Sequence, residues 1–455
     1  MSKNKRSTFS GKLGFVLSAA GASVGLGNIW RFPYLAAKYG GGIFLLIYII
    51  LAFTFGYTMI MAETSLGRMT KKSPVGAYQS FGKSKWLSLG GWINAIIPIL
   101  IVPYYSVIGG WVIKYLIGYF SGQAQTLASD TYFSAFISNG ASTEICFIVF
   151  TFCTLGIIYA GVQNGIERVS KFMMPVLVVL SVIIAIYSVT RPGALEGVKY
   201  FLVPNPANFS WMTVVSAMGQ MFYSLSIAMG ILVTFGSYML KDMSIEDSTQ
   251  NVEIFDTAIA IMAGLMIIPA VFAFSGGDPD TLNAGPALMF ITIPKVFANM
   301  GLGTGIGILF FLLVLFAAMT SSIALTESAV STFEDELYWG RKKSTIVMAV
   351  IMVSLGSLSC LGYGPLANVT IIGMQFLDFF DFLTNSVMMP IAAIATCLLV
   401  SRVIGVKKIE EEVTLEGKPF RRKKIFYFMI QSLCPIFAAI ILISSVANAF
   451  GWISM

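Results

Sequence analysis

Long apolar runs separated by short polar segments set the strongest limit on how this chain can fold. Crossing a bilayer as a helix takes about 17 to 25 mostly apolar residues. Eleven runs meet that length, near 11–37, 41–67, 87–120, 145–161, 166–190, 210–239, 254–274, 303–335, 345–361, 366–401 and 426–453. Only 11% of the 455 residues are charged, against about 25% in soluble domains. The sequence therefore predicts an all-α polytopic membrane protein with about eleven transmembrane helices.

Lysine and arginine occur mainly in alternate connecting segments. Placing the N-terminus inside the cell puts these segments in the cytoplasm, where membrane proteins concentrate both residues. We therefore expect a multi-pass protein of the cell membrane with a cytoplasmic N-terminus and an extracellular C-terminus. The net charge of +7 follows from this distribution. The predicted partner surface is the lipid bilayer, and no nucleic-acid partner is indicated.

Catalytic and nucleotide chemistry have little support in the sequence. The chain contains no histidine, and its five cysteines lie in or beside apolar runs without the spacing of a zinc site. The segment from Gly76 to Ser84 is one residue away from a phosphate-binding loop, but its glycine spacing is wrong and no strand precedes it. We predict neither an enzyme nor a nucleotide-binding protein.

The first apolar run carries a cluster of residues that weaken a membrane helix. They are Gly21, Gly25, Gly27, Asn28 and Arg31. A charge at mid-bilayer costs about 2.5 to 3.5 kcal/mol on insertion scales, and glycine costs a helix roughly 1 kcal/mol relative to alanine. Close helix packing is an alternative explanation for the glycines, but it does not account for the amide and the cation. The pattern favours a broken helix that lines a binding site.

A second run, half a chain later, has a similar break. Helix six places Gln220, Ser224, Ser226 and Gly230 at mid-span. Serines that bond to their own helix backbone are the alternative explanation. Corresponding breaks in two halves are typical of inverted-repeat transporters. We therefore predict one transporter domain over 1–455, with helices 1–5 (11–190) and 6–10 (210–401) as inverted repeats, helices 1 and 6 unwound at mid-membrane, and an additional eleventh helix at 426–453.

Five segments resemble one transporter family. The run GASVGLGNIWRFP at 21–33 is similar to the first-helix signature of the neurotransmitter:sodium symporter family. The resemblance continues through 63–68, 219–238, 320–322 and 378–381 and covers nearly the whole chain. The helix count resembles the bacterial branch, whose members carry tyrosine or several hydrophobic amino acids.

The resemblance implies a substrate site at the two helix breaks. Backbone N–H groups at Leu26 and Gly27, together with the Tyr105 hydroxyl, would hold the substrate carboxylate. An exposed helix N-terminus is suited to bind an anion. The implied substrate-binding residues are Ala22, Ser23, Leu26, Gly27, Ile101, Tyr105, Tyr223, Ser224, Ser226, Met229, Ser321 and Leu325.

The resemblance also implies two sodium sites built from oxygen ligands, which suit a hard cation. The first would use the Ser23 carbonyl, Asn28, Ser224, Asp256 and the substrate carboxylate. The second would use the carbonyls of Gly21, Val24 and Ala317 with the hydroxyls of Thr320 and Ser321. Asp256 departs from the neutral amide of chloride-dependent members, so transport is predicted not to need chloride.

Charged gates on both sides follow from the same resemblance. Arg31 and Asp381 would close the outer side, and Arg6, Asp335, Ser237 and Tyr238 would close the inner side. The predicted function is sodium-coupled uptake of hydrophobic and aromatic L-amino acids by alternating access. The alternative is a proton-coupled amino-acid transporter of the same fold, because Asp256 can titrate.

Overall fold

Helices dominate the structure, a computed structural model that describes residues 7–276 and 285–453. Within those residues the extended pairing is limited to two isolated bridges. The principal helices are α1 (Lys12–Ser23), α2 (Gly27–Lys38), α3 (Gly42–Thr70), α4 (Lys85–Phe120), α5 (Gly140–Tyr159), α6 (Val162–Val189), α7 (Trp211–Ser224), α8 (Ile231–Tyr238), α9 (Ile245–Ser275), α10 (Leu288–Ala298), α11 (Gly303–Glu336), α12 (Arg341–Leu361), α13 (Phe376–Ile404), α14 (Val406–Val413) and α15 (Lys423–Ala449). The predicted all-α fold class is confirmed.

Most of the predicted spans are present as continuous helices. Nine helices of the described chain are long and apolar enough to cross a membrane. The pair α1 and α2, bent by 54° at its break, makes a tenth if it is one span. The sixth predicted span, 210–239, is divided between α7 and α8, which have 14 and 8 residues. Each is too short to cross alone, so a count of eleven depends on pairing them.

Two helix starts differ from the predicted ones by more than two turns of helix. The predicted start of helix ten at 366 is wrong, because turns occupy the chain up to α13, including a bridge between Ile371 and Met374. Helix α9 begins earlier than predicted, since the Ser244 hydroxyl accepts a hydrogen bond from the Asp247 N–H and caps its first turn.

The prolines and glycines between the seventh and eighth spans predict a re-entrant or surface helical loop in place of a further span. Part of it, 277–284, lies outside the described residues. The remainder forms α10, which buries Leu288, Phe290 and Phe297. This short helix agrees with the helical loop predicted there, and Pro294 stands in the first turn after a π-helical stretch, where proline is tolerated.

The two broken helices lie between two groups of packed helices. Helices α4, α5, α11 and α12 pack on one another, and α3 packs along both α7 and α8. Helix α1 contacts α11 of the first group as well as α9 and α6. The breaks of α1–α2 and α7–α8 therefore meet at the boundary between the groups. The assignment of 11–190 and 210–401 as inverted repeats stays a prediction.

A buried arginine ties the end of α3 to the segment between α13 and α15. The Arg68 side chain is 0% exposed, and its Nε donates to Glu412 Oε1 at 2.6 Å. Its Nη1 donates to the Met243 carbonyl at 2.6 Å, and its Nη2 donates to the Glu412 carbonyl. One guanidinium thus joins α3, the loop before α9 and α14.

Removal of this guanidinium is predicted to destabilise the fold. Arg68→Ala leaves the Glu412 carboxylate and two carbonyls without their donor, and breaking a buried ion pair from one side costs about 3 to 5 kcal/mol. Thermal unfolding in detergent should therefore occur at a clearly lower temperature. The control is Lys407→Ala on the exposed face of α14, which should unfold like the wild type. An unchanged unfolding temperature for Arg68→Ala would contradict the assigned role.

Candidate substrate and ion site

The segment between α7 and α8 has an unusual backbone. Ser226 and Ala228 have positive φ angles of 53° and 60°, and Gly230 follows at 70°. Positive φ is uncommon for residues other than glycine and costs of order 1 to 3 kcal/mol in sparsely populated regions. The hydroxyl of Ser226 donates to the Ala22 carbonyl at 3.1 Å, and the Ala228 N–H donates to Glu63 Oε1 at 2.8 Å. Contacts from α1 and α3 therefore hold the segment in this conformation.

The break between α1 and α2 leaves backbone N–H groups available to side chains. The Gly25 N–H donates to Asn28 Oδ1 at 3.1 Å, and the Leu26 N–H donates to the Tyr105 hydroxyl at 3.2 Å. At the first residue of α2, the Gly27 carbonyl accepts a hydrogen bond from Gln220 Nε2 at 3.0 Å. The N-terminus of α2 thus faces the Tyr105 hydroxyl, which is the arrangement expected for an anion site.

A buried carboxylate lies beside this break. Asp256 of α9 is 0% exposed. Its oxygens accept hydrogen bonds from Asn28 Nδ2 at 2.8 Å, the Tyr48 hydroxyl at 3.2 Å and the Ser224 hydroxyl at 2.9 Å. Asn28 Nδ2 also lies 2.9 Å from Ser224 Oγ. Hydroxyl and carboxylate oxygens, which a hard cation prefers as ligands, thus meet at one buried point. Asn28 presents its amide nitrogen there, while its Oδ1 accepts from the Gly25 N–H.

A second group of oxygens lies on the other side of α1. Ser321 Oγ lies 3.4 Å, 3.1 Å and 3.3 Å from the carbonyl oxygens of Gly21, Ala22 and Val24. The Thr320 hydroxyl instead donates within its own helix, at 3.2 Å to the Ala317 carbonyl. The predicted second ion site thus has its carbonyl and hydroxyl oxygens close together where the break of α1 faces α11.

All twelve predicted substrate residues line one cavity of about 30 Å³. The same wall includes Gly25, Asn28 and Ile231. Sequence reasoning missed Ile231, because an aliphatic residue beside a glycine has no polar signal to distinguish it from packing. The polar residues lie at the helix breaks, and Ile101, Met229 and Leu325 supply an apolar wall. The lining of the cavity is therefore complementary to a molecule with one charged end and one apolar end.

A larger cavity of about 370 Å³ begins where the small one ends. Tyr105 and Tyr223 line both cavities, and Arg31 and Asp381 line the larger one. The Arg31 guanidinium lies 5.4 Å from the centre of the Tyr223 ring. Among the described residues Arg31 and Asp381 form no direct ion pair. The predicted outer gate residues thus face one vestibule across an open space.

Asp381 is held by neighbours on α4 and α13. Asn385 Nδ2 donates to Asp381 Oδ1 at 2.6 Å, and the Tyr104 hydroxyl donates to the same oxygen at 3.2 Å. These bonds hold the carboxylate in the wall of the vestibule that Arg31 also lines.

The opposite side of the site is closed by packed aromatic rings around Phe9, which form an inner plug. Phe9 is buried and contacts Phe15, Phe235 and Tyr238 with ring centres 5.6 to 6.0 Å apart. The Phe9 N–H donates to the Tyr238 carbonyl at 3.1 Å. Sequence reasoning missed Phe9, since one phenylalanine in a polar N-terminal segment resembles many others.

The structure describes three of the four predicted inner gate residues, and one of them, Tyr238, contacts Phe9. Arg6 lies outside the described residues, so its pairing with Asp335 stays a prediction. Asp335 Oδ2 accepts from the Ser73 N–H at 2.6 Å, and the Ser237 hydroxyl donates to the Thr234 carbonyl at 2.6 Å.

Tyr238 links α8 to a buried ion pair that sequence reasoning also missed. Its hydroxyl donates to Glu327 Oε1 at 2.7 Å, and Arg341 Nη2 binds Glu327 Oε2 at 2.5 Å. Arg341 is far from both partners in sequence, so no local pattern indicated the contact.

Comparisons with known proteins agree with this geometry. The sequence matches the sodium:neurotransmitter symporter family over residues 6–139 and 118–451. The chain belongs to that family. It is 35% identical to the uncharacterized sodium-dependent transporter YhdH of Bacillus subtilis over 98% of both chains, and 31% identical to an uncharacterized sodium-dependent transporter of Haemophilus influenzae over 97% of this chain and 98% of that protein.

A solved structure of a family member has the same fold. The crystal structure of MhsT in complex with L-phenylalanine superposes with a TM-score of 0.86 at 35% identity, over 97% of this chain and all of that one. The symporter is therefore a sodium-dependent membrane transporter and not an enzyme. The resemblance that the sequence motifs indicated is confirmed.

Proposed function

We propose that this symporter couples sodium entry to uptake of hydrophobic and aromatic L-amino acids. The observation that carries the proposal is the cavity in which backbone N–H groups of the α1–α2 break, clustered oxygens and an apolar wall meet. The L-phenylalanine held by MhsT, which shares the fold, supports the same class of substrate.

The substrate carboxylate would bind at the start of α2. The N–H groups of Leu26 and Gly27 and the Tyr105 hydroxyl are its donors in this proposal. Because the Leu26 N–H lies 3.2 Å from the Tyr105 oxygen, the carboxylate would replace that oxygen as the acceptor and then accept from the Tyr105 hydroxyl. The side chain would extend toward Ile101, Met229 and Leu325, which bury it from water.

Two sodium ions would be carried with each substrate. One would lie between Asn28, Ser224, Asp256, the Ser23 carbonyl and the substrate carboxylate, so its binding would depend on the substrate. The other would lie between the carbonyls of the α1 break and the hydroxyls of α11. Each charge gains about 2.3 kcal/mol per 100 mV, so two ions supply about 4.6 kcal/mol, or roughly a thousandfold accumulation.

Alternating access would follow if the site opened at one end at a time, first at the vestibule and then at the side of Phe9. The vestibule at Arg31 and Asp381 is open while the side of Phe9 and Tyr238 is packed, which is a geometry suited to loading from the vestibule. By the proposed topology, with the N-terminus in the cytoplasm, the vestibule faces the cell exterior. Approach of Arg31 to Asp381 would close that side before the Phe9 plug opens.

Uptake by purified protein in liposomes tests the proposal. An inward sodium gradient should drive accumulation of labelled leucine, and unlabelled phenylalanine should compete. Accumulation driven by a proton gradient in the absence of sodium would favour the proton-coupled alternative. Strict selectivity for an acidic or basic amino acid would contradict the proposed substrate class.

Loss of a single ion ligand should weaken the sodium dependence. Asn28→Ala and Thr320→Ala each remove one oxygen ligand from a different proposed site, at a cost of about 1 to 3 kcal/mol for a buried polar group left without its partner. The sodium concentration for half-maximal substrate binding should therefore rise about fivefold or more. Ser129→Ala, on a surface turn, is the control. Unchanged sodium dependence in both variants would remove the proposed ion sites.

A further inference from the structure

Ile231 occupies a position in the cavity wall that the family signature did not indicate. It is the first residue of α8, its side chain is 1% exposed, and it lines the cavity with Ile101, Met229 and Leu325. We propose that Ile231 sets the upper size limit of this pocket. Leucine-sized and single-ring side chains are then carried in preference to the two-ring indole of tryptophan. This inference rests on the proposed function and names its substrate range.

Met229, two residues before Ile231, is the flexible part of the cavity wall. Met229 lies in the non-helical segment before α8, and its unbranched side chain can refill space around ligands of different size. Ile231 is branched at Cβ and lies within a helix, where one χ1 rotamer is strongly preferred. A bulkier substrate can therefore displace Met229, whereas Ile231 keeps its place.

The backbone at Ile231 is packed too closely on its neighbours to move away from the cavity. A Cβ added at the preceding Gly230 would approach the Asn94 carbonyl oxygen to 2.8 Å and the Pro74 ring to 2.9 Å. The start of α8 is thus packed directly on α4 and on the short helix Pro74–Gln79. Along its length α8 also packs on α3. Widening the pocket therefore requires a smaller side chain at 231.

The expected change in preference between tryptophan and leucine follows from the number of atoms removed at position 231. Replacing isoleucine by alanine removes three carbon atoms from a wall that encloses about 30 Å³. One methylene in an apolar pocket changes discrimination between substrates by about 10 to 200-fold. Ile231→Ala should therefore improve tryptophan relative to leucine by at least about tenfold, and Ile231→Val should improve it less.

The test is competition in liposomes with an inward sodium gradient. Inhibition of labelled leucine uptake by unlabelled leucine, phenylalanine and tryptophan would be measured for the wild type, Ile231→Val, Ile231→Ala and Leu232→Ala. Leu232 is also 1% exposed but is not among the described residues that line the cavity, so it controls for lost packing at the neighbouring position. The tryptophan-to-leucine ratio of inhibition constants should fall stepwise from isoleucine to valine to alanine at 231 and stay constant in Leu232→Ala.

Failure of the inference is distinguishable from failure of the proposed function. If the wild type accumulates leucine with sodium but accepts tryptophan equally well, Ile231 is not the size limit. The same follows if the ratio does not change across the 231 series, and the valine variant supplies that result even where the alanine variant folds poorly. If the wild type takes up no amino acid with sodium, the proposed function itself is wrong.

Discussion

Replacing Asp256 by asparagine should reduce sodium-driven uptake by at least about a hundredfold. The carboxylate lies at the proposed first ion site and is 0% exposed. Two opposite charges 4 Å apart interact by about 4 kcal/mol at an effective dielectric constant near 20. Removing the negative charge takes away most of that attraction, and about 1.4 kcal/mol corresponds to tenfold in affinity. The measurement is sodium-dependent leucine uptake and its half-saturating sodium concentration.

The neighbours of Asp256 reinforce this expectation. Three donors point at its two oxygens, from Asn28, Tyr48 and Ser224. An asparagine offers one acceptor oxygen and two N–H donors, so part of this arrangement has to reorient. Asp242→Asn, at an exposed position before α9, removes the same charge without touching the site and should leave uptake unchanged.

Chloride replacement separates the role of the charge from a loss of folding. The family resemblance places a neutral amide at this position in chloride-dependent members, so the carboxylate is proposed to stand in for the anion. Wild-type uptake should be equal in chloride and gluconate media. If gluconate abolishes it, Asp256 does not substitute for an anion and its proposed role fails. Partial rescue of Asp256→Asn by chloride would support the role directly.

The fold was largely predictable because lipid imposes a strict rule on the chain. Every backbone polar group in the bilayer needs a hydrogen-bond partner, so the spans form helices. A helix that crosses the bilayer appears in the sequence as a long apolar run. An error arose where that rule does not act, at the turns before Phe376. The added turns of α9 depend on a local cap at Ser244, which hydropathy does not detect.

The candidate site was predictable only in its polar and glycine positions. Gly25 and Asn28 destabilise a membrane helix, so their presence indicated a binding function. Ile231 and Phe9 are ordinary apolar residues in sequence, and only the folded chain shows one in the cavity wall and the other in the inner plug. Glu327 and Arg341 likewise meet through the packing of α11 and α12 on each other.

Gly25→Ala should abolish substrate uptake while the protein still folds. A Cβ at this position would lie 2.7 Å from Ser321 Oγ and 3.0 Å from the Tyr105 hydroxyl oxygen. Ser321 can turn its hydroxyl away by rotation about χ1, and a small tilt of the Tyr105 ring moves its hydroxyl away, so the fold survives. Turning away, however, removes the proposed carboxylate donor and a proposed ion ligand together. We expect uptake to fall at least about a hundredfold, measured as sodium-dependent leucine accumulation, with nearly unchanged thermal unfolding in detergent.

Gly156→Ala is the matched control, because Gly156 is an exposed residue inside α5 that lines neither cavity, and a Cβ there would meet nothing within 4 Å. A glycine-to-alanine change inside a helix lowers the flexibility of the unfolded chain and favours the fold by about 0.5 to 1 kcal/mol, so this variant should unfold at a slightly higher temperature and transport normally. If Gly25→Ala transports like Gly156→Ala, then Tyr105 and Ser321 do not bind substrate and ion from their present positions. The site would then have to be assigned to the vestibule between Arg31 and Asp381 instead.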